Sequence, residues 1–216
     1  MLTQDDIFNV VGNIPRCVMD LLQNNEIYLA GGFIRSVLAD EEIKDIDLFT
    51  ESELKSAELC TDLASVISGS GKIETENAFT VSHPLMPDIQ FIHRWTFNNP
   101  YDLIASFDFT IAQAAIWWEN GEWRSVTSES FYDDLYHKQL VYTLPDRVEA
   151  AGGSLLRVRK FLKRGYDISA YDFAKVVARM MKGVDLRAFE IETELERSAH
   201  IAEVLHDAYG SPVDKD

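Results

Sequence analysis

Two short runs of the sequence hold residues suited to handling phosphate. The first is Gly31-Gly32, two further residues and then Arg35. Glycines let backbone amides come close to a ligand's phosphates, a following helix turns its positive end toward them, and a guanidinium supports the charge or braces the loop. The second run is Asp45-Ile46-Asp47. Alternate side chains of a strand point the same way, so both carboxylates fall on one face with Ile46 buried behind them. Paired carboxylates bind hard cations, Mg2+ or Mn2+, which neutralise charge while an attacking oxygen meets a polyphosphate. Asp-x-Asp alone is common on surface strands; its place downstream of the glycine loop gives it weight.

The surrounding pattern supplies elements to hold these runs. Thr3 with Asp6 reads as a capping box opening a helix that reaches about Leu22, with Ile7, Val10, Val11 and Ile14 at helical spacing and a break or bend at Pro15. Glu26–Ala30 reads as a strand, Gly31-Gly32 as a tight turn, Phe33–Leu38 as a brief helix and Ile43–Thr50 as the strand carrying the carboxylates. Ser52–Ile67 suits a helix with Leu54, Leu59, Leu63 and Val66 inward, stopped by Ser68-Gly69-Ser70-Gly71. Strands follow over 72–74, 78–82 and 88–93, then a short helix from Asn99-Pro100. Phe107–Trp117 and Trp123–Val126 form a hairpin around Asn120-Gly121. From Gly152 the pattern turns helical: 154–164, 170–181 and 186–209. The expectation is an α+β fold, a mixed or antiparallel sheet flanked by helices over residues 1–150, with a C-terminal helical neck over 151–216.

Composition narrows the function. The 36 acidic against 20 basic residues give a net charge of −16, which disfavours a broad nucleic-acid wrapper. The one concentrated basic stretch holds Arg157, Arg159, Lys160, Lys163 and Arg164, either a solvated helix face or a contact for a polyphosphate or an RNA end. No stretch approaches the roughly 20 apolar residues of a membrane span, and Gln4, Asp5 and Asp6 do not fit a signal peptide, so a cytoplasmic, membrane-free protein is expected. Cys17 and Cys60 suggest neither a disulfide nor a zinc site. The five histidines show no metal spacing, Trp117, Trp118 and Trp123 read as sheet packing, and Glu41 and Glu42 as a solvated turn.

Gly31-Gly32, Arg35, Asp45 and Asp47, in this order, resemble the first signature of the tRNA nucleotidyltransferase and poly(A) polymerase head-domain family, in its bacterial-type second class. That family lies within the polymerase-β-type nucleotidyltransferase superfamily. Phe107-Asp108-Phe109-Thr110-Ile111-Ala112 is similar to the family's segment contacting the ribose, with Asp108 kept and Ser106 and Phe107 standing where the family has paired arginines. Tyr132-Asp133-Asp134-Leu135 and the run from Ser154 to Tyr166 are similar to its Asp-Leu helix and basic neck helix, which implies that Arg157 and Lys160 face the nucleotide. A third carboxylate is common in the superfamily. Asp88 is the candidate here, with Gln90 at the position where the family has Glu, and Asp108 is a second candidate.

The resemblance implies transfer of a nucleoside monophosphate from a nucleoside triphosphate to an acceptor hydroxyl, with Mg2+ or Mn2+ and release of pyrophosphate. An RNA 3′ end is the first acceptor it implies; a protein side chain or a small metabolite are the others. About 50 residues follow the neck, fewer than the helical body with which full-length relatives hold tRNA. A degenerate domain that binds nucleotide or a partner protein is the alternative of a different class.

Overall fold

The computed structural model describes residues 1–145, 151–187 and 193–207. The chain divides into two compact units, Met1–Tyr136 and a second beginning at His137.

In the first unit, α1 (Gln4–Gly12) starts at Thr3, whose hydroxyl accepts from the Asp6 amide at 3.1 Å. Pro15 separates α1 from α2 (Arg16–Asn24), so of the expected break or bend it is a break. Proline has no amide to continue the hydrogen-bond ladder, and it sits at the N-cap of the new helix with extended backbone. β1 (Tyr28–Ala30) leads through Gly31 into α3 (Gly32–Leu38), and β2 (Asp45–Phe49) follows.

α4 (Glu53–Val66) is capped by Ser52. Its inward face is Ser56, Leu59, Cys60 and Leu63, which keep helical spacing, whereas Leu54 and Val66 are 70% and 73% exposed. That corrects the expected inward set. β3 (Gly71–Glu74), β4 (Ala78–His83) and β5 (Met86–Ile92) come next, then α5 (Pro100–Ala105), capped by Asn99.

The expected strand over Phe107–Trp117 begins only at Ala114. Residues Thr110–Ala112 are a 3-10 turn, so the alternation of Phe107, Phe109 and Ile111 reflects core packing and not a pleat. β6 (Ala114–Glu119) and β7 (Glu122–Thr127) form the expected hairpin, with Asn120 and Gly121 at φ 52° and 83°. Both central residues at positive φ match the twist of paired strands. α6 (Phe131–Tyr136) closes the unit.

The sheet is seven-stranded, in the order β3-β4-β5-β2-β1-β6-β7. Neighbours are antiparallel except β2 and β5, which run parallel in the register Asp45 with Asp88 and Asp47 with Gln90. This is the mixed α+β architecture expected. One face buries Leu29, Ile46, Leu48, Ile89 and Phe91. On the other, Phe49, Ala30, Ala115 and Val126 pack under Leu103 and Ile104 of α5. Trp117 meets Tyr28 edge-on at 5.8 Å and Trp118 meets Trp123 at 5.2 Å, so these tryptophans pack the sheet.

The second unit contains β8 (Gln139–Leu140) paired in parallel with β9 (Asp167–Ile168), and helices α7 (Gly153–Lys163), α8 (Ala170–Met181) and α9 (Glu194–Asp207). Asp172 ties it together. Its carboxylate accepts from Lys175 Nζ at 2.6 Å, Ser169 Oγ at 2.7 Å and the Tyr142 amide at 3.2 Å. Burial alone would raise this carboxyl's pKa, but the hydrogen bonds outweigh it and hold the value below normal. The helix expected over 186–209 does not run through residue 193, because Thr193 and Glu196 form a capping box that starts α9. Residues 188–192 and 208–209 of that expected helix lie outside the described residues.

The chain start is bound to α6. The Tyr132 hydroxyl donates to Asp6 Oδ2 at 2.5 Å and accepts from the Thr3 amide at 3.1 Å. Burial, then the bond to the Asp6 carboxylate, push this phenol up to about 12 from its ordinary value of 10.0. A raised pKa means the folded state favours the protonated phenol, so the contribution is intact below pH 10 and is lost as pH rises through about 12. Alkaline unfolding followed by circular dichroism is expected to show this loss in the wild type and not in Tyr132→Phe. Superimposable profiles would count against the bond as a stabilising tie.

Candidate active site

The glycine loop adopts a conformation that the sequence can supply only with glycine. Gly31 has φ 79° and ψ −127°, far from the basins open to L side chains, and its amide donates to Ala114 O at 3.0 Å, extending the β1–β6 pairing. A Cβ on Gly31 would stand 3.1 and 3.2 Å from ring carbons of Phe107. With the Gly31 amide engaged, the loop amides without an intrahelical acceptor are the first of α3, those of Gly32, Phe33 and Ile34.

Below the loop lies Arg35, with a side chain 8% exposed. Its Nε stands 3.4 Å from Glu41 Oε2 and its Nη2 donates to Ser36 Oγ at 3.1 Å. The position that a Gly32 Cβ would occupy is 3.7 and 3.8 Å from the two Nη atoms and 3.9 Å from Asp45 Oδ1. Glycine loop, guanidinium and first carboxylate therefore converge on one point. Glu41 was expected in a solvated turn, yet its side chain is only 12% exposed. Glu42 is 80% exposed, as a solvated turn residue would be.

Asp45 and Asp47 share one face of β2 and are half-buried, with Ile46 fully buried on the other. The parallel register sets Asp88 beside Asp45 and Gln90 beside Asp47 on the same face. At the far end of that face Phe49 meets Phe107 edge-on at 6.0 Å. Phe107 is thus wedged between an apolar cluster and the glycine loop, on the residue where the resemblance would place an arginine.

The donors are carboxylate oxygens, which suit a hard cation. Among the described residues no group of three or more His, Cys, Asp or Glu side chains forms a cage that would hold a metal by itself. Mg2+ commonly takes one or two carboxylates and completes its octahedron with water and substrate phosphates, so two aspartates near the glycine loop fit that ion.

Asp108 is 3% exposed, inside the unit and not at its surface. The neighbouring 3-10 turn is held by Asp134, which accepts from Thr110 Oγ1 at 2.6 Å and Ser130 Oγ at 2.7 Å. The residues from Gly31 to Asp134 discussed above belong to the first unit. Arg157, half-buried, and Lys160, exposed, lie on α7 in the second.

A seven-stranded sheet with this order and a strand, Gly-Gly, helix, Asp-x-Asp segment define a nucleotidyltransferase fold. Solved structures agree at the level of fold. The Thermotoga maritima CCA-adding enzyme complexed with tRNA superposes with a TM-score of 0.56 at 16% identity, over 92% of this chain and 53% of that one. A CCA-adding enzyme in complex with CTP gives 0.58 at 17%, over 92% and 54%. The chain belongs to the Gabija anti-defense 2 family, whose model matches residues 2–138. It is 25% identical over 173 residues to Gabija anti-defense 2 of Bacillus phage SPbetaL7, covering 76% of this chain and 40% of that protein. The chain thus spans less than half of that relative and little more than half of the CCA-adding enzymes.

The Gly31 geometry gives a direct test. Gly31→Ala is expected to lower stability by about 1–3 kcal/mol in urea unfolding, because it adds both backbone strain and the contact with Phe107. Adding Phe107→Leu should recover only the contact part. Full recovery would show that the positive φ carries no cost.

Proposed function

We propose that the chain transfers a nucleoside monophosphate from a nucleoside triphosphate to an acceptor hydroxyl, with release of pyrophosphate. The observation that carries this reading is the convergence of Gly32, Arg35 and Asp45 on one point, with Asp47 and Asp88 on the same sheet face. Such transfer is mainly a matter of positioning and charge stabilisation. The α3 amides and Arg35 would hold the triphosphate's charge. Asp45 and Asp47 would hold Mg2+ or Mn2+, with Asp88 beside Asp45 in register on the neighbouring strand. When bound, the ion supplies Lewis-acid stabilisation of the α-phosphoryl charge and of the departing pyrophosphate. Buried Asp108 would support the site from within the unit instead of meeting ribose from the surface.

For the acceptor, the family resemblance favours an RNA 3′ end, and CCA-adding enzymes have been solved with tRNA. The charge distribution favours a second reading. The first unit carries 23 of the 36 acidic residues but 7 of the 20 basic ones, so the whole net charge of −16 lies in Met1–Tyr136. A polyanion approaching that unit meets repulsion with few cations to release counterions, whereas a hydroxyl on a basic protein surface meets attraction. A protein acceptor is also consistent with a role against a host defence system, the role in the family's name.

The chain incubated with each α-labelled nucleoside triphosphate and Mg2+ or Mn2+ should transfer label into either total tRNA or host-cell protein. Asp45→Ala with Asp47→Ala should reduce transfer by at least about 100-fold, since losing the metal removes several kcal/mol of transition-state stabilisation. Transfer surviving in the double variant would overturn the metal assignment. Nucleotide binding without label transfer or pyrophosphate release, under every condition, would replace the enzyme with a binding domain.

A further inference from the structure

Arg35 poses a problem that the site must solve. A guanidinium this deeply buried needs a counter-charge, and the carboxylate of Asp45 is at hand beside Gly32. If Arg35 paired with Asp45, it would compete with a divalent ion for the same oxygens.

The end of α3 supplies another partner. Asp40 has φ 52°, the Glu41 amide donates to Ser36 O at 2.8 Å and the Asp40 amide to Val37 O at 3.4 Å. These two bonds make a Schellman motif, with Asp40 at the left-handed position usually taken by glycine. The motif reverses the chain at once, so Glu41 is turned back along α3 and its carboxylate meets Arg35 Nε. The same short segment then enters β2 at Asp45.

We propose that Glu41 is a positioning residue for the metal site. It takes up the charge of Arg35 at Nε, while the Nη atoms lie toward Gly32, so that the guanidinium braces the loop while the Asp45 carboxylate stays available to a divalent cation. Ser36 fixes the second edge of the same guanidinium. The role rests on the nucleotidyltransferase reading above, and it assigns a function to a residue whose neighbour, Glu42, points to solvent.

The test reads binding as well as turnover. Mn2+ uptake by the intact chain in the presence of ATP is followed by loss of the free-ion electron paramagnetic resonance signal, with melting curves as a check on folding. Glu41→Gln is expected to weaken Mn2+ binding roughly tenfold, since it frees Arg35 to engage Asp45. Glu41→Asp, which keeps the charge on a shorter arm, should fall between the two, and it stands in should the Gln variant fail to fold. Glu42→Gln should match the wild type. In an Arg35→Met background, Glu41→Gln should add little, because its effect passes through the arginine.

Unchanged Mn2+ binding in folded Glu41→Gln, or an equal loss with and without Arg35, would overturn the proposal while leaving the nucleotidyltransferase reading standing. A wild type that takes up no Mn2+ with ATP would overturn both.

Discussion

The site depends on the parallel pairing of β2 with β5. In an otherwise antiparallel sheet this register places Asp45, Asp47, Asp88 and Gln90 on one face, in adjacent strands separated by roughly 4.8 Å. Carboxylates on one face of adjacent strands concentrate like charge, which favours a cation nearby. The glycine loop, α3 and its Schellman turn occupy the stretch immediately before β2, and they deliver Arg35 and Glu41 to the same place. Arg35 and Glu41 form an opposite-charge pair beside these carboxylates, and on the proposed reading a divalent ion at Asp45 and Asp47 supplies further positive charge.

Much of this was legible in the residues. Period-two alternation put Asp45 and Asp47 on one face, the glycine pair announced a turn before a helix, and Asn120-Gly121 announced the hairpin. What the residue pattern does not carry is set by tertiary structure. Glu41 follows an aspartate and not a glycine, so nothing in its neighbourhood signals a Schellman turn, and a charged pair such as Glu41-Glu42 looks solvated until one member is found facing a buried arginine. Leu54 and Val66 looked like core residues by type, but the helical phase of α4 is set by Leu59 and Leu63, and it selects Ser56 and Cys60 instead. The two-residue strands of the second unit are too short to leave any periodic trace.

Phe107 stands where the resemblance would place an arginine, and it holds the scaffold by packing. The ring is anchored by Phe49 and packs against the position a Gly31 Cβ would take, so the loop conformation is held by packing and by the Gly31–Ala114 hydrogen bond. An arginine in that place would add a cation, whereas a phenylalanine adds rigidity. On the proposed reading the loop is thereby organised before any ligand arrives, and organisation in advance removes part of the entropic cost of binding.

That exchange has a consequence for charge. A triphosphate brings about four negative charges to a unit that already carries a net −16, and the position where the resemblance would supply guanidinium groups holds serine and phenylalanine. Arg35 is partly neutralised by Glu41 and cannot offset that load alone. On the proposed reading, a divalent cation at Asp45 and Asp47 therefore has to neutralise more of the substrate's charge here than in relatives that retain the paired arginines. Nucleotide affinity should then be coupled more tightly to metal occupancy than to any single cationic side chain. It follows that Glu41, by keeping Asp45 clear of Arg35, would influence nucleotide binding without touching the nucleotide.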